Sequence, residues 1–169
     1  MRKPTAKALR RMEILKDAIA QVRSNRYKAT TGLYVDLNNL QGVSDNCTIE
    51  QVAKGLDERN RSEYCKVCAD GALLISSLRK GEEARDIMNN VVKAHYANAA
   101  TNNVLRKNRT FTWKQVKLME AYFENRQMQS GVSQELIEAW NEDKGYKTPR
   151  QRMLGIFQNA LENNGIFKP

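Results

Sequence analysis

One histidine, three cysteines, three prolines and an aromatic content of 7% leave little material for several common chemistries. His95 falls on an apolar helical stripe, and no nucleophile or acid accompanies it at a readable spacing, so no catalytic constellation is predicted. Three cysteines cannot all pair within one chain, and small secreted scaffolds use more of them in even number, which favours a reducing, cytoplasmic setting. No hydrophobic run is long. The longest, Gly71 to Ser77, falls far short of the ~20 residues that cross a bilayer, and the basic N-terminus leads into an amphipathic segment in place of a signal peptide. Neither GxxxxGK[ST] nor GxGxxG occurs to cradle a phosphate. These absences predict a soluble, non-catalytic protein with no cofactor and no membrane partner.

What is present is charge of one sign. Twenty-eight Lys and Arg against nineteen Asp and Glu give +9 over 169 residues. Such a balance biases the partner toward nucleic acid, phosphorylated ligands or acidic protein surfaces. The excess is uneven. Residues 1–28 hold nine basic and two acidic residues, and residues 87–119 hold six basic and none acidic, whereas 29–86 and 120–169 come to −3 and −1. Whether the two basic blocks share one face is the geometric question on which a polyanion site depends.

The length and a 41% hydrophobic content predict one domain over residues 1–169, with residues 1–4 as a flexible tail. The patterning predicts an all-α bundle of six or seven helices. Ala8, Met12, Leu15, Ile19 and Val22 make one stripe over Thr5 to Arg23, with Lys3, Lys7 and Arg10 off it. Leu33, Val35 and Leu37 alternate with polar neighbours, a short extended segment near residues 32–37. Thr48 precedes a helical set of Ile49, Val52, Ala53 and Leu56. A longer helix from Ser62 to about Arg79 is expected to carry Cys65, Cys68, Ala72 and Ile75, and another from Glu82 to Ala97 to carry Ala84, Ile87, Met88, Val91 and His95.

Punctuation is clearest near the C-terminus. Thr112 to Gln115 reads as a capping box with a Phe111–Val116 staple, placing Val116, Met119 and Phe123 inward and Lys114, Lys117, Ala121 and Glu124 outward. Ser133 opens a short helix with Leu136, Ile137 and Trp140. Thr148-Pro149-Arg150-Gln151 is a second capping box before Met153, Leu154, Phe157 and Leu161, and Asn163-Asn164-Gly165 stops that helix.

Cys65-x-x-Cys68, with Cys47 and His95, is a minor candidate for zinc. The pair is expected mid-helix without a second CxxC, so buried unligated thiols are the favoured reading. Glu120 and Glu124 stand one turn apart beside Lys117 and read as solvated carboxylates. The strongest ligand signal is Arg106-Lys107-Asn108-Arg109, which runs into a capped helix adding Lys114, because a helix N-terminus attracts phosphate by its dipole as well.

Four stretches together resemble a family of small, mostly helical proteins of unknown function from phage and bacterial genomes. They are Gly32-Leu33-Tyr34-Val35-Asp36, Cys65-x-x-Cys68-Ala69-x-Gly71-Ala72-Leu73, Phe111 with Gln115-x-x-x-Met119-Glu120-x-x-Phe123-Glu124, and Trp140-Asn141-Glu142-Asp143. The resemblance implies a compact helical module from a phage or mobile-element setting that binds host or viral machinery.

The expected function is therefore phosphate contact with nucleic acid through Lys3, Lys7, Arg10, Arg11, Arg106, Lys107, Arg109 and Lys114. A protein-binding inhibitor or adaptor of an acidic host complex, anchored by Trp113, Tyr122 or Trp140, is the alternative. A binder of a small phosphorylated ligand or nucleotide at the helix near Trp113 is the third.

Overall fold

Thr5 opens the first helix, its hydroxyl accepting the Ala8 amide at 3.2 Å, and α1 runs Ala6–Arg23 with Ile14, Leu15, Ala18, Ile19 and Val22 buried. A computed structural model describes residues 3–44, 46–60, 62–84, 92–94 and 110–169. Within them α1 is followed by β1 (Tyr27–Ala29), β2 (Val35–Asp36), α2 (Ile49–Lys54) with a 3₁₀ turn over Gly55–Glu58, β3 (Cys65–Val67), α3 (Ala69–Arg79), α4 (Trp113–Glu124), α5 (Gln134–Asp143) and α6 (Pro149–Glu162). The fold is predominantly helical but not purely all-α.

The three strands form one small sheet in the order β1-β3-β2, with β3 parallel to β1 and antiparallel to β2. This corrects the helix expected from Ser62 to Arg79. Cys65 and Val67 are buried with Lys66 between them half exposed, the alternation of a strand, and helix α3 starts only after Cys68. Tyr27, Val35, Cys65 and Val67 are the buried members of the sheet, while Lys66 pairs with Asp36 at 3.5 Å. Segment 92–94 departs from expectation as well. It makes an antiparallel bridge between Lys93 and Thr48, where the Ile49 amide donates to the Val92 carbonyl and the Ala94 amide to the Cys47 carbonyl. The rest of that predicted helix, including Ile87, Met88, Val91 and His95, lies outside the described residues.

α3 is the centre of the molecule. Every residue from Ala69 to Leu78 is buried, and the helix packs against α1, α2 and α4. Small residues allow this closeness, above all Gly71, where a Cβ would run into the backbone carbonyl of Tyr34. Arg79 at its end ties three helices together, donating to Asp17 of α1 at 2.9 Å and to the Ala53 carbonyl of α2 at 3.3 Å, with Asp57 of the following turn at 2.7 Å. α6 packs on α1 and α4, and one hydrophobic cluster draws from every helix and strand. Tyr122, Trp140, Tyr146 and Phe167 interlock edge to face, with centroids 5.2–5.5 Å apart. No helix among the described residues is long and apolar enough to cross a membrane.

Candidate nucleic-acid interface

Lys3, Lys7, Arg10 and Arg11 belong to the first turns of α1 and the residues leading into it, and Lys114 is the second residue of α4. Two routes connect these elements. In one, Arg10 Nε lies 3.8 Å from Glu82 Oε1, and the same oxygen accepts the Thr110 hydroxyl at 2.5 Å, just before the Thr112 cap of α4. In the other, the side chain of Arg11 fills the space beside Gly165, and two residues further on Phe167 exchanges hydrogen bonds with Gln115: its amide donates to Oε1 at 2.8 Å and its carbonyl accepts from Nε2 at 3.5 Å. These contacts tie early residues of α1 to the segment ahead of α4 and to the C-terminal segment that Gln115 of α4 holds, where Lys168 is exposed.

Gln115 is spent on that second route, so the reciprocal half of the expected 112–115 capping box is missing. Thr112 accepts the Gln115 amide at 3.3 Å, but the Gln115 side chain serves the C-terminal segment instead. The complete boxes are Thr48–Gln51 and Thr148–Gln151.

The cations at this end are not equivalent. Lys3, Lys7 and Lys114 are exposed and make no ion pair among the described residues. Arg10 is partly committed, to Glu13 at 3.2 Å, to Glu82 and to the Lys80 carbonyl. Arg11 is half-buried, and among the described residues its Nε has no hydrogen-bond partner, nor has Oε2 of Glu82. Arg106, Lys107 and Arg109 lie outside the described residues. Arg23, Arg26 and Lys28, the last three cations of the first basic block, belong to the opposite end of α1. From Lys7 to Arg23 the helix rises ~24 Å. Arg26 is occupied there by the carbonyls of Asn60 at 2.6 Å and Arg59 at 2.7 Å.

The cysteines do not gather. Cys65 sits in β3, Cys68 caps α3 by accepting the Gly71 amide at 3.5 Å, and Cys47 stands near Ser44 on a separate loop. Burial pushes the Cys65 thiol up to about 12, whereas hydrogen bonds from Ser44 lower that of Cys47. Among the described residues no three His, Cys, Asp or Glu side chains cluster to hold a metal ion.

A group that the helical pattern placed on the surface is in fact inside. Lys117 is 5% exposed, Glu120 3% and Asp70 0%. Lys117 Nζ meets Asp70 Oδ2 at 3.0 Å and lies over the rings of Trp113 and Tyr34, 4.6 and 5.6 Å from their centroids. Glu120 accepts the Asp70 amide at the head of α3 at 3.0 Å, and both oxygens of Glu124 accept the Gly32 amide at 3.1 Å. Burial pushes Asp70 up to about 6 against the opposing pull of Lys117, and raises Glu120, which the charge of Asp70 raises further. A recess of about 220 Å³ between Gly32–Tyr34 and α4 has Glu120 and Glu124 in its wall. The cluster clasps the 32–36 loop across α3 and α4.

Residues from the resembling stretches meet here: Gly32 with Glu124, the Tyr34 carbonyl with the Cys68 amide at 3.1 Å, and Asp70 with Glu120. A nearby member is Asn141, which donates to the Tyr122 carbonyl at 3.1 Å. Ala121, expected outside, is fully buried, and Tyr122 is only 3% exposed; Leu136, one of the apolar residues of the helix that Ser133 opens, is 61% exposed. Among protein-family models, curated proteins and solved structures, none matches the chain.

Proposed function

We propose that this is a non-catalytic nucleic-acid-binding protein of phage or mobile-element origin, contacting phosphates through the end of the molecule that carries Lys3, Lys7, Arg10, Arg11 and Lys114. In this reading Arg106, Lys107 and Arg109 contact phosphates as well. The observation that carries it is the shared contact of Glu82 with Arg10 and Thr110, which brings the flanks of two basic blocks far apart in sequence to one place. The positive end of the α4 dipole reinforces the field there.

Affinity at such an end is electrostatic. Each neutralised phosphate releases counterions, so about six contacts weaken binding ~10³-fold between low and moderate salt. Trp113 and Tyr34 lie under Lys117 and Tyr122 is buried, which supports phosphate contact over base stacking and removes Tyr122 as a protein-binding anchor. Trp140 is packed between Tyr122, Tyr146 and Phe167, which disfavours it as an anchor too. The test is the electrophoretic mobility of labelled duplex and single strand over a salt series. Steep weakening with salt is the expected outcome, and no complex at ~50 mM salt would overturn the proposal.

A further inference from the structure

At the other end of α1, Lys28 Nζ lies 5.0 Å from the centroid of the Tyr64 ring. The two side chains line a cleft of about 430 Å³ between the sheet and the start of α6, which also includes Asn25, Ala29, Pro149 and Arg150. The cleft is large enough for a small ligand, such sites usually falling at ~300–1,000 Å³. Its lining is mostly apolar, and among the described residues none of the lining is acidic. Two are cationic. Arg150 is held by the carbonyls of Val22 at 3.5 Å and Arg23 at 3.3 Å, and neither it nor Lys28 makes an ion pair among the described residues. The N-terminal end of α6 adds partial positive charge.

These features discriminate among ligands. Free phosphate would leave the ring and the apolar lining unused, and a neutral aromatic molecule would leave both cations unused. A flat ring joined to an anion uses all of them, by stacking and by charge-assisted hydrogen bonds. The geometry points to a site for one nucleoside phosphate, its base against Tyr64 and its phosphate on Lys28 and Arg150. A free nucleotide and the 5′-terminal nucleotide of a strand share this chemistry. The site stands apart from the Lys3–Lys114 end and does not depend on phosphate contacts there.

Calorimetric titration of the full chain with the four nucleoside monophosphates, adenosine, inorganic phosphate and a 5′-phosphorylated dinucleotide tests it. At least one monophosphate is expected to bind with Kd below ~1 mM, with adenosine and phosphate at least ~tenfold weaker. Lys28→Ala and Tyr64→Ala should each weaken binding ~tenfold, and Tyr64→Phe, which keeps the ring, should stay near wild type. Lys28 is exposed, so Lys28→Ala remains informative even if Tyr64→Ala fails to fold. Tighter binding of the dinucleotide supports a strand end as the ligand, and tighter binding of the mononucleotide a free nucleotide. Absence of saturable binding by every nucleotide up to ~1 mM, or unchanged affinity in Lys28→Ala, overturns the site. Lys3→Ala, Lys7→Ala and Lys114→Ala should leave this binding unchanged, so failure here and failure of phosphate contact at the other end are separable.

Discussion

Lys117 and Asp70 are 47 positions apart in sequence yet form a buried ion pair at 3.0 Å. A helical wheel puts Lys117 with Lys114 because it knows only the residue's own helix; the carboxylate that makes its burial tolerable comes from α3, and one of its two rings, Tyr34, from the 32–36 loop. Removing one partner leaves the other charge uncompensated in the interior. Lys117→Met is expected to destabilise the fold by ~3–5 kcal/mol, measured by urea denaturation, and a loss near zero would contradict the pairing. The cluster also sets a pH dependence. Because burial raises Asp70 from its ordinary 3.8 to about 6 in the folded chain, its contribution to stability is complete below 3.8 and is lost as pH rises through about 6. Comparing the melting temperature of wild type and Asp70→Asn across that window should show the decline flattened in the variant. Parallel profiles would contradict it.

Among the elements, those with both a cap and a full stripe were legible. α1, α4 and α6 start at Thr5, Thr112 and Thr148 as read, and Asn163-Asn164-Gly165 ends α6, with Asn164 and Gly165 at positive φ. Of the sheet, only β2 was legible, within the extended segment expected near residues 32–37. Its strands are two or three residues long, and β3 is a strand because partners from both 27–29 and 35–36 reach it, which periodicity within Ser62–Arg79 cannot register. The same long-range contact explains Gly71, an unfavourable residue within a helix by its own propensity. Its missing side chain admits the Tyr34 carbonyl. Gly71→Ala should therefore lower stability by ~1–3 kcal/mol, despite alanine's higher helix propensity, as read by thermal or denaturant unfolding; a stabilised variant would contradict the close approach.

At the scale of the whole molecule, the first basic block extends along the length of α1, and Arg10 near its start shares Glu82 with Thr110, two residues before the Thr112 cap of α4. The contacts of Arg10 and Arg11 were not legible in the sequence, because Glu82 and the Gly165–Phe167 segment that make them lie outside both blocks. The most direct measurement is the slope of log binding constant against log salt for wild type, Lys3→Ala/Lys7→Ala and Lys114→Ala on one duplex. If both blocks touch the same polyanion, the slope falls by ~0.9 for each lysine removed, in both variants and additively when they are combined. A slope that responds to one block alone, or to neither, would contradict a single shared surface.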